Sequence, residues 1–138
     1  MTTARAQAQL PFFIPSPQQV ILQDGVTELS PDVRLATSNV IPYMRKTMRS
    51  IFTASAIRVV ANKKRFVIQV NIIDESEADW GDVPEVYRRD YYRMDIANNV
   101  VTISSPSQVG AIWGVQSFAD LYQAGGPDGC IPNCVIRD

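Results

Sequence analysis

Apolar positions in this chain follow two different periods, and the changes of period mark its elements. Val20, Ile21 and Leu22 read as a short strand before Asp24-Gly25, a pair that predicts a hairpin turn with a return strand at 27–29. Ser30-Pro31-Asp32 is a second turn, after which Val33, Leu35 and Thr37 alternate as a strand. Over 39–54 the spacing becomes helical. Val40, Met44, Met48, Ile51 and Phe52 fall on one face and Arg45, Lys46 and Arg49 on the other, with Ser38 or Asn39 as N-cap and Pro42 in the first turn. Strands follow at 57–60 and 65–73, the second with Phe66, Ile68, Val70 and Ile72 on one face. Segments 91–97 and 100–104 form a hairpin about Asn98-Asn99, a pair that tolerates positive φ. A helix over 108–123 is apolar on more than one side, as buried helices are. Gly125-Gly126-Pro127 stops it, and 131–136 is a last strand.

This order lacks a regular βαβ alternation. It predicts an α+β fold: a mixed, mostly antiparallel sheet with two helices packed on it, in one domain spanning 10–138. Residues 1–9 are polar and aperiodic and read as a disordered tail. Three prolines in 10–20 preclude a helix there and give an extended lead-in whose Phe12, Phe13 and Ile14 dock on the core.

The chain has 138 residues, 46% of them hydrophobic, enough for a core without metal or disulfide staples. Thirteen Lys and Arg against fourteen Asp and Glu give a net charge of -1, which argues against a general nucleic-acid binder or a polybasic membrane-surface protein. There is no histidine, so any enzyme built here would rely on carboxylates, Lys, Tyr or Cys. Cys130 and Cys134 are too few for a structural zinc site and too far apart along an extended chain for a disulfide, so free thiols are expected. Segment 1–9 holds no apolar stretch of signal-peptide type. The final Val135-Ile136-Arg137-Asp138, without turn or cap, reads as a domain boundary.

Three segments invite a chemical reading. The acidic stretch of Asp74, Glu75, Glu77, Asp79 and Asp82 lacks the EF-hand spacing, and a surface loop does not hold two carboxyls at the roughly 5–9 Å that glycoside hydrolysis needs. It reads as a solvated loop. Tyr87-Arg88-Arg89-Asp90-Tyr91-Tyr92-Arg93 interleaves aromatic and basic residues; the choice lies between a stacking platform and a strand that buries its aromatics, and the slightly acidic chain favours the strand. Gly110 and Gly114 each cost about 1 kcal/mol inside a helix, which predicts close packing of that helix on the sheet. No P-loop, GxGxxG, GxSxG or nucleophile–base pair occurs, so no catalytic, cofactor-binding or metal-binding residue is assigned.

The last third carries a resemblance. Tyr92-Arg93-Met94-Asp95-Ile96 with Val100-Val101-Thr102-Ile103, the helix Gly110-Ala111-Ile112-Trp113-Gly114-Val115-Gln116-Ser117-Phe118, then Ile131-Pro132 and Ile136-Arg137-Asp138 resemble the non-catalytic N-terminal domain of glycoside hydrolase family 20, the β-N-acetylhexosaminidases. Ile14-Pro15-Ser16-Pro17 is similar to that domain's opening. Ser117-Phe118 and Asp120 depart from the commoner Thr-Leu and Gln. Related domains precede the barrels of α-glucuronidases and family 84 enzymes. The resemblance implies an accessory domain supporting a catalytic (β/α)8 barrel that this sequence does not contain, a secreted, periplasmic or lysosomal setting, and no cofactor. Catalysis in the family belongs to the barrel, so no functional residue carries over. The chain alone is then expected to be silent, with self-association through its barrel-facing surface. The alternative is a free-standing glycan- or protein-binding module using Trp80, Tyr87, Tyr91 and Tyr92.

Overall fold

The last strand of the chain lies inside the sheet. In the computed structural model, which describes residues 19–30, 32–61, 66–78, 89–125 and 129–138, β7 (Cys130–Arg137) pairs antiparallel with both β1 (Gln19–Glu28) and β5 (Arg93–Ala97). β5 pairs antiparallel with β6 (Val100–Ser105) through the expected Asn98-Asn99 turn, where both asparagines have positive φ. Beyond β6 the pairing is parallel: β4 (Val67–Ile72), β2 (Asp32–Ser38) and β3 (Arg58–Val59) complete the order β1-β7-β5-β6-β4-β2-β3. The seven-stranded sheet is mixed, as expected, with three antiparallel and three parallel pairings. The parallel pairs of β2 with β3 and β4 follow the crossover through α1 (Pro42–Ala54), while α2 (Gln108–Gly125) carries the chain from β6 past β5 to β7. The predicted tail and the lead-in through Phe12, Phe13 and Ile14 lie outside the described residues.

Alternation decides the two faces of the sheet. Ile68 and Val70, Met94 and Ile96, Val101 and Ile103, and Ile136 point to one side and are buried. Met48 and Phe52 of α1 and Ala111, Val115, Phe118 and Leu121 of α2 close over them, with Phe66 edge-on to Phe118 at 6.0 Å. The opposite side carries Gln69, Thr102 and Asp95 in one register row and Asn71, Ser104 and Arg93 in the next. A sheet with one polar face and one covered face is a two-layer sandwich.

The Asp24-Gly25 pair does not make the expected hairpin. β1 runs straight through it, and 27–29 is no return strand. Leu22 faces Cys134 and Val26 faces Pro132, so β1 uses four residues where β7 uses two. The excess bulges outward at Gly25, φ 91°, and the Asn133 side chain fills the bulge. Its Nδ2 donates to the Asp24 carbonyl at 3.0 Å, and its Oδ1 accepts from Thr27 Oγ1 at 2.7 Å. With β7 satisfying both arms, the turn chemistry serves a bulge instead.

The first helix also starts later than its sequence suggests. Ser38 ends β2, Asn39 takes a left-handed φ of 63°, and Ile41 is the N-cap without a side-chain bond. Capping comes from the other helix: Gln108 Oε1 accepts from Ile41 N at 3.2 Å and its Nε2 donates to Asn39 O at 2.9 Å. Pro42 occupies the first turn, as expected.

Candidate functional site

The two glycines of α2 set how closely that helix sits on the sheet. A Cβ on Gly110 would collide with Ser105 Oγ and the Tyr91 carbonyl, and one on Gly114 would lie 2.5 Å from Ile103 Cγ2. The close packing expected for this helix is present. Its outward side is left with Val109 and, one turn on, Trp113, which is 50% exposed. Further along, Gln116 Nε2 donates to Asp120 Oδ1 at 3.1 Å and gives the stripe a polar end.

At the start of α1, Ile41 is exposed and Tyr43 is 73% exposed. Gln108, bonded to Asn39 and Ile41, ties this segment to the start of α2, immediately before Val109. Among the described residues, four of the seven exposed large apolar side chains therefore belong to the helical layer, two at the start of α1 and two in the first two turns of α2. The helical spacing of α1 gave no sign of it, because Tyr43 falls off the stripe formed by Val40, Met44 and Met48. The four-residue step from Val109 to Trp113 was the available signal.

Tyr91 and Tyr92 are buried and present no ring to a ligand, but they lie just before β5 and are adjacent, so they are not the alternating strand positions that were expected. Tyr91's carbonyl accepts from Ser105 Oγ at 2.7 Å, and Tyr92's hydroxyl bonds Ser117 Oγ at 2.6 Å. Burial pushes the Tyr92 hydroxyl up to about 12, with Asp138 and Asp120 adding to the rise and the Ser117 bond opposing it. A phenol held neutral so firmly is a packing group with a satisfied polar end. Trp80 and Tyr87 lie outside the described residues.

In the acidic stretch, Asp74 Oδ1 accepts from Ser76 N at 3.3 Å and starts the short 3-10 turn Glu75–Glu77. Asp74, Glu75 and Glu77 are exposed, while Asp79 and Asp82 lie outside the described residues. Among the described residues no three His, Cys, Asp or Glu gather as a metal site would require. The thiols are free, with Cys134 buried and Cys130 exposed at the start of β7. Burial, helped by the Asp95 charge, lifts Cys134 to about 11, the opposite of an activated nucleophile. No helix among the described residues is long and apolar enough to cross a membrane.

The family profile "Glycosyl hydrolase family 20, domain 2" matches residues 10–138. This chain belongs to that family. No curated protein matches it in sequence. Its fold is shared by the Flavobacterium johnsoniae chitobiase, at 18% identity and TM-score 0.64 over 96% of this chain and 21% of the other. It is shared by the Streptomyces plicatus N-acetyl-β-hexosaminidase, at 17% identity and TM-score 0.60 over 90% of this chain and 25% of the other. CpGH84D shares it as well, at 15% identity and TM-score 0.64 over 93% and 24%. This glycoside hydrolase family 20 domain thus spans about a quarter or less of the proteins it resembles.

Proposed function

We propose that this chain is a non-catalytic accessory domain of a β-N-acetylhexosaminidase-like glycoside hydrolase, seated on the catalytic barrel by the outer face of its helical layer. One observation carries the docking surface: Trp113 and Val109 on α2 stand exposed near Ile41 and Tyr43 at the joined helix starts. A half-exposed indole on a well-packed helix contributes nothing to this domain's own core, and burying it against a neighbour would gain about 2 kcal/mol. The opposite sheet face exposes only the smaller Ile21 and Val100 among its polar rows and no aromatic ring among the described residues. The chain alone hydrolyses no glycoside. The remaining bulk of the enzyme, three quarters or more by the size of the proteins it resembles, performs the chemistry.

Two measurements test this. The pure 138-residue chain is offered a chromogenic β-N-acetylglucosaminide; no turnover is expected, and sustained turnover abolished by a single carboxylate substitution would overturn the reading. An antibody to these residues should detect a native polypeptide far larger than 15.4 kDa in its source cells, and a band near that mass would count against a parent enzyme. The docking face has its own check by sedimentation. The isolated chain should self-associate at high concentration, and Trp113→Lys should return it to monomer.

A further inference from the structure

Charge is unevenly placed along this chain. From Val33 to Ile73 there are eight Lys and Arg and no Asp or Glu, while the rest of the chain holds five basic residues and all fourteen acidic ones. In space that segment builds most of β2 and all of α1, β3 and β4, one side of the sheet; the acids beside it are Asp32, which opens β2 and pairs with Arg58, and Asp74 and Glu77 after β4, next to Ser38 and Asn39. Arg45, Lys46 and Arg49 stand exposed on α1, and Arg58 is exposed on edge strand β3. Arg45 and Arg49 are one turn apart with no acid on the helix, an arrangement of like charges that weakens a helix. Nothing in the packing requires it, since the buried residues of α1 are Met48 and Phe52.

Between α1 and β3 opens a cleft of about 660 Å³, lined by Arg49, Thr53 and Arg58 on its polar side and by Ile57, Val59 and Val60. Arg58 is held in place by Asp32, which accepts from its Nε at 2.7 Å and from its Nη2 at 2.9 Å. This pairing leaves the guanidinium three-quarters exposed, so it remains available to a second anion. The cleft has room for a sugar unit or two. Among the described residues none of the exposed large apolar side chains lines it, and none of its lining side chains is an aromatic ring on which a base could stack.

We propose that the edge formed by α1 and β3 binds an anionic glycan, one bearing carboxylate or sulfate groups, through Arg45, Arg49 and Arg58. Arginine suits such groups because its planar fork matches their oxygens. The choice of a glycan over another polyanion rests on the function proposed above. The lack of a stacking ring or an apolar wedge in the cleft argues separately against single-stranded nucleic acid and anionic membrane. This edge shares no residue with the Trp113, Val109, Ile41 and Tyr43 surface.

The test measures binding of the 138-residue chain to chondroitin sulfate, neutral dextran, poly(dT) and phosphatidylserine vesicles, at about 50 mM and about 300 mM salt because screening weakens exposed charges. Binding to chondroitin sulfate that falls with salt, with none to dextran, is expected. Arg49→Glu and, separately, Arg45→Glu should each weaken it about tenfold, some 1.4 kcal/mol. Arg89→Glu makes the same change in net charge in the acid-rich part of the chain and should leave affinity within about twofold by the same conversion. Unchanged melting temperatures establish that the variants fold. No binding at low salt, equal losses for Arg49→Glu and Arg89→Glu, or tighter binding to poly(dT) or vesicles would each overturn the proposal. Each of these outcomes leaves the turnover and native-size measurements untouched, so the two readings can fail separately.

Discussion

Two small residues of this domain sit where their sizes have opposite consequences. Gly110 has no room for a methyl group, because the Tyr91 backbone and Ser105 hydroxyl occupy that space. Ala56 has room but the wrong backbone. It follows α1 with φ 61°, in a cap where Ala56 N donates to Thr53 O at 3.1 Å and Ile57 N to Phe52 O at 2.9 Å. This is the left-handed position that glycine fills more cheaply, by about 1 kcal/mol. In one urea-denaturation series, Gly110→Ala should lose about 1–3 kcal/mol by overpacking despite the better helix propensity of alanine. Ala56→Gly should gain about 0.5–1 kcal/mol in the same series.

Among the elements, the bulge where β1 meets β7 is held by a single amide. Asn133 bridges the Asp24 carbonyl and the Thr27 hydroxyl, and Thr27 is fully buried. Asn133→Ala should cost about 2 kcal/mol, because it strands a buried donor as well as losing a bond. Adding Thr27→Val should recover part of that loss. A double variant no better than Asn133→Ala alone would show that the amide acts on the bulge backbone only. This contact also explains what was legible in the sequence. The alternation of β4 to β6, the helical spacing of α1 and the glycine pair of α2 are local signals, and each element appeared where they pointed. The β1 bulge and the start of α1 are decided by Asn133 and Gln108, more than 60 residues away from the positions they bond. Turn and cap propensities near Asp24 and Ser38 gave way to partners that no local window contains. The exposed stripe of α2 was hidden for the converse reason. Trp113 looks like core in a helix that is apolar nearly all round, and only the seating of α2 on its Gly110 and Gly114 side leaves the ring half exposed.

For the molecule as a whole, alkaline pH should find a weak point in the core. Tyr92 and Cys134 are buried, and their ionisation is pushed to about 12 and about 11 from ordinary values of 10.0 and 9.0. Above pH 9 the unfolded chain sheds these protons while the native one retains them, so stability falls as pH rises. The contribution is fully present below about pH 9. It is lost progressively up to about pH 12, at roughly 2–3 kcal/mol per group. Melting temperatures measured across that range should decline, and Cys134→Ala should remove the part of the slope between about pH 9 and 11. A melting temperature flat to pH 11 would contradict the burial described for both groups.

The place of β7 between β1 and β5 imposes a clock on biosynthesis. β1 is made early, yet its strand partner among the described residues, β7, follows more than 100 residues later. At ordinary elongation rates of about 5–20 residues per second, β1 waits roughly 5–25 s with its backbone groups unclaimed. The half-built sheet also ends at β5, whose second edge stays open for a shorter time, roughly 2–7 s at the same rates, while residues 98–129 are made. On the ribosome the domain is therefore a circuit left open until its final segment arrives, and it becomes a completed platform only when those last residues thread between the two waiting strands.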